Sequence, residues 1–352
     1  MQVDNTKAAA GDGLVTVYIP TFNQAGYLNE AVRSALGQTV RPAAVIVGDD
    51  ASTDDTPAVL SALAASDPLV RCVRQPTNLG MAGNNACLIE SVNTEFTIRL
   101  DSDDRLEPTF LADLLPLMRA HPRAGYGHGA IRRMDAAGCP TYTIYLNRRQ
   151  GYQEPDVALR AGVTGYRVAG NIVMYRTQAV REVNFFYGRP DYVSDYDMAV
   201  RLAVAGWGNV YADRVVANYR TWADAGGLRV RRKASELDGY VRIFDEVLTP
   251  AFAARGWDAQ PLARQRRRLA LDHAANCFLP QYDAEDRRHL VALLRRLGPS
   301  RGLEVKLRLL GLGLAPLVER LYHAKGRTKN LVKQGLAQLR RRRDVPTSDD
   351  QR

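Results

Sequence analysis

Residues 14–36 read LVTVYIPTFNQAGYLNEAVRSAL. Leu14 to Pro20 form a short apolar run rich in β-branched residues and closed by a proline, the pattern of a buried strand. Polar residues follow, and Asn23 stands where it can cap a helix. Within that helix Leu28, Ala31, Val32, Ala35 and Leu36 recur at i, i+3, i+4, i+7 and i+8, giving one apolar face. A strand joined to a helix by so few residues is half of a βαβ unit, and the pattern repeats downstream. AVIVG (Ala44 to Gly48) is a second strand, and STDDTP leads through Pro57 into a helix carrying Val59, Leu60 and Leu63. VRCV (Val70 to Val73) is a third strand, with a helix around Met81 to Val92 behind it. FTIRL (96–100) is the fourth, and EPTFLADLLPLM (107–118) restarts a helix. Such alternation predicts an α/β fold with a parallel sheet covered on both faces.

Ligands of such sheets sit outside the carboxyl ends of the strands. Here each strand ends in polar residues: Thr21 and Asn23, then Asp49 and Asp50, then Asn78, then Asp101 and Asp103. The pattern predicts that they converge on one rim. The last group is the most charged, because three of the four residues after Leu100 are aspartates: Asp101, Asp103 and Asp104. Like charges about 4 Å apart repel by roughly 4 kcal/mol at an effective dielectric near 20. Water, a basic partner or a cation must relieve such a cluster.

Composition narrows the class. The chain has 352 residues, 46% hydrophobic and 24% charged, which suits a folded globular protein of one large domain with an appendage, or of two domains. Cys72, Cys87, Cys139 and Cys277 form no C-x-x-C pair, so a zinc site or disulfide framework is not expected and a reducing cytosol is the simplest home. The start, MQVDNTKAAAGDG, lacks the apolar core of a signal peptide and reads as a disordered tail. No run of about eighteen apolar residues suggests a membrane span. The formal charge of +10 is uneven, since residues 301–352 carry 13 Lys and Arg against 5 Asp and Glu.

Five segments taken together, PTFNQAGYLNEAVRSALGQT (20–39), VIVGDDASTDDT (45–56), NLGMAGNNA (78–86), RLDSDDRLEP (99–108) and SDYDMAVRLAVAG (194–206), resemble the family 2 glycosyltransferases. The resemblance covers roughly residues 14–220 and implies the GT-A fold, a Rossmann-like and mostly parallel central sheet flanked by helices, here with a C-terminal helical extension. The chain then divides into a disordered tail (1–12), a GT-A domain (13–225), a helical region (226–338) and a basic disordered tail (339–352). The resemblance also implies transfer of a sugar from a nucleotide-diphosphate donor, a UDP-sugar first, to a hydroxyl on a glycan or lipid-linked glycan, with inversion and with Mg²⁺ or Mn²⁺.

By that resemblance Asp101-Ser102-Asp103 is the DXD motif. Asp103 is expected to bind the metal, and Asp101 the ribose or a metal-bound water. Asp104 either assists or caps the next helix. Pro20, Thr21, Phe22 and Asn23 are expected to line the nucleotide pocket, with Asp50 reading the base and Asp49 packing behind it. Asn78 and Gly80 are expected to turn near the diphosphate or the base, and Asp54 and Asp55 to cap a helix. Asp195 matches the second residue of the family's Glu-Asp pair and is expected to be the general base, with Asp197 its rival. Three departures accompany the match. Ser194 replaces the glutamate, Asn84-Asn85 stands where relatives often have Arg-Asn, and Trp222 stands where many have a metal-binding histidine. The five histidines show no ligand spacing. Trp222 either covers the donor or lies in the core, and Arg229 either meets the diphosphate or belongs to a linker.

The leucines and basic residues after Gly302 have helical spacing. They read either as an interfacial helix drawn to anionic lipid or as a helical pair with a solvated end. Nucleic-acid binding is not expected, because no binding motif accompanies the charge. The location expected is cytoplasmic, with peripheral attachment to the inner face of the membrane on the first of those readings. Two other functions stay open: a non-catalytic nucleotide-sugar-binding scaffold, and a sugar nucleotidyltransferase, although YIPTFNQAGYL (18–28) lacks the glycine-rich phosphate loop of the latter.

Overall fold

A computed structural model describes residues 13–165, 168, 172–184, 193–222, 228–316 and 318. Both expected terminal tails, 1–12 and 339–352, lie outside the described residues, as does nearly all of 317–338. The chain forms two compact units, Met1–Leu262 and Ala263–Arg352.

In the first unit the strand–helix alternation is present in the expected order. It runs β1 (Val15–Thr21), α1 (Ala25–Leu36), β2 (Ala44–Asp49), α2 (Thr56–Ser66), β3 (Val70–Arg74), α3 (Gly80–Ser91), β4 (Phe96–Arg99), β5 (Arg105–Leu106) and α4 (Phe110–Ala120). The mixed region that follows holds β6 (Ala124–Met134), β7 (Pro140–Ile144), β8 (Gly151–Gln153), α5 (Pro155–Gly162), β9 (Met174–Arg176), α6 (Thr177–Glu182), α7 (Ser194–Val204) and β10 (Gly208–Arg220). Among the described residues these strands make one ten-stranded sheet, ordered β3-β2-β1-β4-β9-β6-β10-β5, with β7 beside β6 and β8 beside β10.

β3, β2, β1 and β4 are parallel, and so are β6 and β10. β9 lies between the two sets, antiparallel to β4 and β6. The sheet is therefore mixed, because an antiparallel strand needs no crossover helix and can be inserted by a short return.

Both faces of the parallel set are buried, which explains why β1, β2 and β4 read as continuous apolar runs. On one face Val17, Ile19, Val45, Val47 and Ile98 pack against Leu28 and Val32 of α1, Leu60 of α2 and Leu114 of α4. On the other, Tyr18 and Ile46 share a core with Leu88 and Ile89 of α3 and Met198 and Leu202 of α7. Each such aliphatic side chain contributes roughly 1.5–3 kcal/mol on burial. α3 lies so close to β2 that a Cβ at Gly48 would stand 2.7 Å from Leu88.

Helices α8 (Leu228–Arg231), α9 (Lys233–Arg242) and α10 (Thr249–Ala254), with a π-helical stretch at Ile243–Leu248, also belong to the first unit. They join it because Arg242 of α9 pairs with Asp197 of α7 at 3.0 Å and Tyr240 packs near Tyr196. The boundary read at 225/226 thus falls inside this unit. After α11 (Gln260–His273) the second unit is helical, with α12 (Ala284–Leu297) and α13 (Arg301–Gly311) burying Leu290, Leu294, Leu303 and Leu307.

Candidate active site

β1 and β2 end side by side, Thr21 opposite Asp49. The carboxylates here are held by backbone N–H groups. Asp49 accepts from Ser52 N–H at 2.9 Å, with Arg74 3.5 Å from its other oxygen. Asp50, also buried, accepts from Leu79 N–H at 2.7 Å, which ties β2 to the start of α3. Between Asp50 and Ser52 lies Ala51 at φ +59°. A non-glycine residue in this left-handed region costs roughly 1–2 kcal/mol, and the hydrogen bonds around it must hold it there. Asn78 accepts from Gly80 N–H at 3.0 Å, making the expected turn. Thr21 is buried, while the Phe22 ring is 44% exposed and presents a face at the rim.

Two capping expectations change partners. Asn23 does not cap α1, because at φ +52° it lacks the extended backbone that an N-cap needs. Its side chain instead accepts from Thr53 N–H at 2.8 Å. Asp54 supplies the missing cap, accepting from Ala25 N–H of α1 at 3.2 Å and from Thr56 N–H of α2 at 3.0 Å. Slight burial works the other way, but the Thr56 and Ala25 hydrogen bonds hold its carboxyl below the usual range. Asp55 sits at the N-cap of α2 without a side-chain bond. Asn84 is structural, its amide donating to Gly48 O at 2.8 Å.

The end of β4 is built differently. Arg99, its last residue, is buried in a strand that is otherwise Phe, Thr and Ile. Its Nε and one terminal nitrogen meet Oδ1 of Asp101 at 3.0 and 2.9 Å, and the other terminal nitrogen lies 3.6 Å from Oδ1 of Asp195. Asp101 and Asp195 are thereby brought together. Asp197 is not: Arg201 at 2.8 Å and Arg242 at 3.0 Å bind it. Trp222 Nε1 donates to Oδ2 of Asp103 at 2.6 Å, and the indole meets Tyr27 edge-on at 4.9 Å. Trp222 is thus at the site and 38% exposed rather than in the core. Asp104 caps no helix; it accepts from the backbone N–H of Arg220 at 2.7 Å, at the end of β10. The Arg220 guanidinium in turn binds Asp103 O at 2.8 Å, Ala136 O at 2.9 Å and Glu30 at 2.6 Å, fixing the loop from below. Residues 223–227 and the Arg229 side chain lie outside the described residues.

Charge in this cluster is incompletely balanced. Burial raises the Asp103 carboxyl above its usual range, Trp222 opposes this, and Asp101 adds to it. Burial pushes Asp104 well up, with Asp101 and Asp103 adding, and its Oδ2 is buried without a hydrogen-bond partner. Asp195 is raised by burial, drawn back by Arg99 and raised again by Asp101. No group of three metal-ligating side chains occurs among the described residues. A hard divalent ion that keeps several waters takes only one or two carboxylates, so two aspartates of this loop would suffice to hold one.

Residues 16–181 match the model of glycosyl transferase family 2. They form a family 2 glycosyltransferase domain. Among its relatives are the chondroitin synthase of Pasteurella multocida, 30% identical over 55% of this chain and 19% of the relative, and the Campylobacter jejuni GalNAc(5)-diNAcBac-PP-undecaprenol beta-1,3-glucosyltransferase, 31% identical over 32% and 36%. The chain thus matches well under two thirds of either. Similar solved structures are S. aureus TarS 1-349 in complex with UDP-GlcNAc, with TM-score 0.58, 17% identity and 81% and 80% of the two chains covered, and the mannosyltransferase PcManGT of Pyrobaculum calidifontis in complex with GDP-Man and Mn²⁺, with TM-score 0.54, 19% identity and 88% and 82% covered. These likenesses show the GT-A fold of the domain. Arg99 is the site residue that motif matching left without a role. Its signal was an arginine in a buried strand, which demands an acidic partner.

Proposed function

We propose that the protein is a glycosyltransferase moving a sugar from a nucleotide-diphosphate sugar, a UDP-sugar first, to a hydroxyl of a glycan or lipid-linked glycan by inverting single displacement. One observation carries the reading: Asp101 of the DXD motif and Asp195 of α7 meet the same guanidinium at the carboxyl end of β4. Mg²⁺ or Mn²⁺ held by Asp103 and Asp101 would supply stabilisation of the charge that gathers on the departing diphosphate. Asp50, oriented by Leu79 N–H, would accept from the base. Pro20, Thr21, Phe22, Asn23, Asp49, Asn78 and Gly80 would shape that pocket. Asp195 would take the proton of the acceptor hydroxyl, and its raised pKa brings it nearer the working range of a base.

The relatives and fold neighbours support this choice, since their names concern synthases and transferases, and bound UDP-GlcNAc, GDP-Man and Mn²⁺. The proposed location is the cytoplasm, peripheral to the inner membrane face. No helix among the described residues is long and apolar enough to cross a membrane. In α13 and just beyond it, Val305, Leu312 and Leu314 are exposed, with Arg301 and Arg308 exposed nearby, a composition suited to an anionic surface.

The test is nucleotide release from a panel of UDP- and GDP-sugars with Mn²⁺. At least one UDP-sugar is expected to turn over, and Asp103→Ala to lower that rate by about 10²-fold or more. No release from any donor would leave a nucleotide-sugar-binding scaffold. Pyrophosphate release from a nucleoside triphosphate and a sugar 1-phosphate would mark a nucleotidyltransferase instead.

A further inference from the structure

We propose that Arg99 is a positioning residue of this site: its guanidinium fixes Asp195 relative to Asp101 and so sets the acceptor side against the donor side. The inference rests on the reading of Asp195 as the base. Arg99 enters from the sheet, and its backbone is held in register with Tyr18 of β1. Tyr18 is fully buried and Arg99 is buried beside it, so the arginine side chain leaves the sheet within packed core. A guanidinium buried without partners would cost several kcal/mol, so the two carboxylates are part of what holds it in place.

The two contacts are unequal. Asp101 receives two nitrogens within hydrogen-bond distance, whereas Asp195 is held by charge at 3.6 Å. The rotation of α7 is fixed independently, by Asp197 between Arg201 and Arg242. Asp195, two residues earlier in the first turn, is thereby presented to Arg99, and the guanidinium sets the position of its carboxylate against Asp101. The planar fork of arginine can address two carboxylates at once, and the single ammonium of lysine cannot do so with the same geometry.

The experiment is a double-mutant cycle on the full chain, reading nucleotide release with the best donor of the panel and Mn²⁺, together with UDP binding and Tm. Arg99→Lys is expected to lower kcat by about 30-fold or more, with donor KM and UDP affinity changing by less than about 3-fold. Adding Arg99→Lys to Asp195→Asn is expected to cost nothing further, because the two act through one group. Multiplying losses in the double variant, or a kcat within about 3-fold for Arg99→Lys, would overturn the inference while leaving the base intact. Undiminished release by Asp195→Asn alone would remove the base itself. Asp195→Glu leaves Arg99 and its burial untouched, so it serves if Arg99→Lys does not fold. A base fixed by Arg99 loses about 10-fold or more on moving one methylene, and a freely placed one does not.

Discussion

The domain sets aspartates at the ends of two strands that flank β1 and uses them in opposite ways. After β2, Asp49, Asp50 and Asp54 accept backbone N–H groups of Ser52, Leu79, Thr56 and Ala25. Those carboxylates stitch β2, α1, α2 and α3 together. After β4, Asp103, Asp104 and Asp195 have carboxyls raised by burial, and Arg99 is a cation shared by Asp101 and Asp195. The first group is anchored by backbone N–H groups within the fold, and Asp50 is also the proposed acceptor for the base. We propose that the second holds charge in reserve for a ligand. Residue type and strand-end position do not separate the two uses; burial beside the Asp101 carboxylate, which raises Asp103, Asp104 and Asp195 alike, does.

That contrast is sharpened most by Asp195→Asn, which is expected to lower nucleotide release by about 10²–10⁴-fold with UDP affinity retained. A variant of full activity would place Asp195 with the first group.

The stability effects should have opposite signs. A carboxyl raised in the folded state contributes stability at low pH that is lost as pH rises through its folded pKa. Asp104→Asn keeps the acceptor for Arg220 N–H and removes the buried charge. It should raise Tm by about 2–4 °C near pH 7.5, with the gain fading toward about pH 4. A Tm that falls at pH 7.5 would break the comparison. Asp54 has the reverse sign, because its lowered carboxyl contributes stability above the unfolded pKa that is lost as pH falls through the folded one. Asp54→Ala should cost about 0.5–1 kcal/mol by denaturant unfolding at pH 7.5, and less near pH 3, without loss of turnover per folded molecule. Lost turnover with unchanged stability would reverse its assignment.

Much of this was legible before any coordinates. The apolar runs and helical spacing located β1 to β4 and α1 to α4, because a sheet buried on both faces leaves so plain a pattern; the two-residue β5 was not read. The antiparallel β9 was not legible, since Met174–Arg176 is too short to show its direction. The rim residues were legible as a set, but their partners were not. The Asn23 and Asp54 exchange depends on a left-handed backbone at Asn23, and the Asp104 contact on the distant end of β10. Trp222 shows the same limit: a tryptophan in a polar stretch gives no sign that its N–H will meet Asp103.

The central claim is that the acidic cluster after β4 exists to hold a cation against a diphosphate. It is tested most directly by calorimetric titration of UDP into the protein with and without Mn²⁺, repeated with Asp103→Ala. The account predicts that Mn²⁺ tightens UDP binding by about 10-fold or more in the native chain and leaves the variant unchanged, about 1.4 kcal/mol of coupling. Equal tightening in both proteins, or none in either, would contradict it.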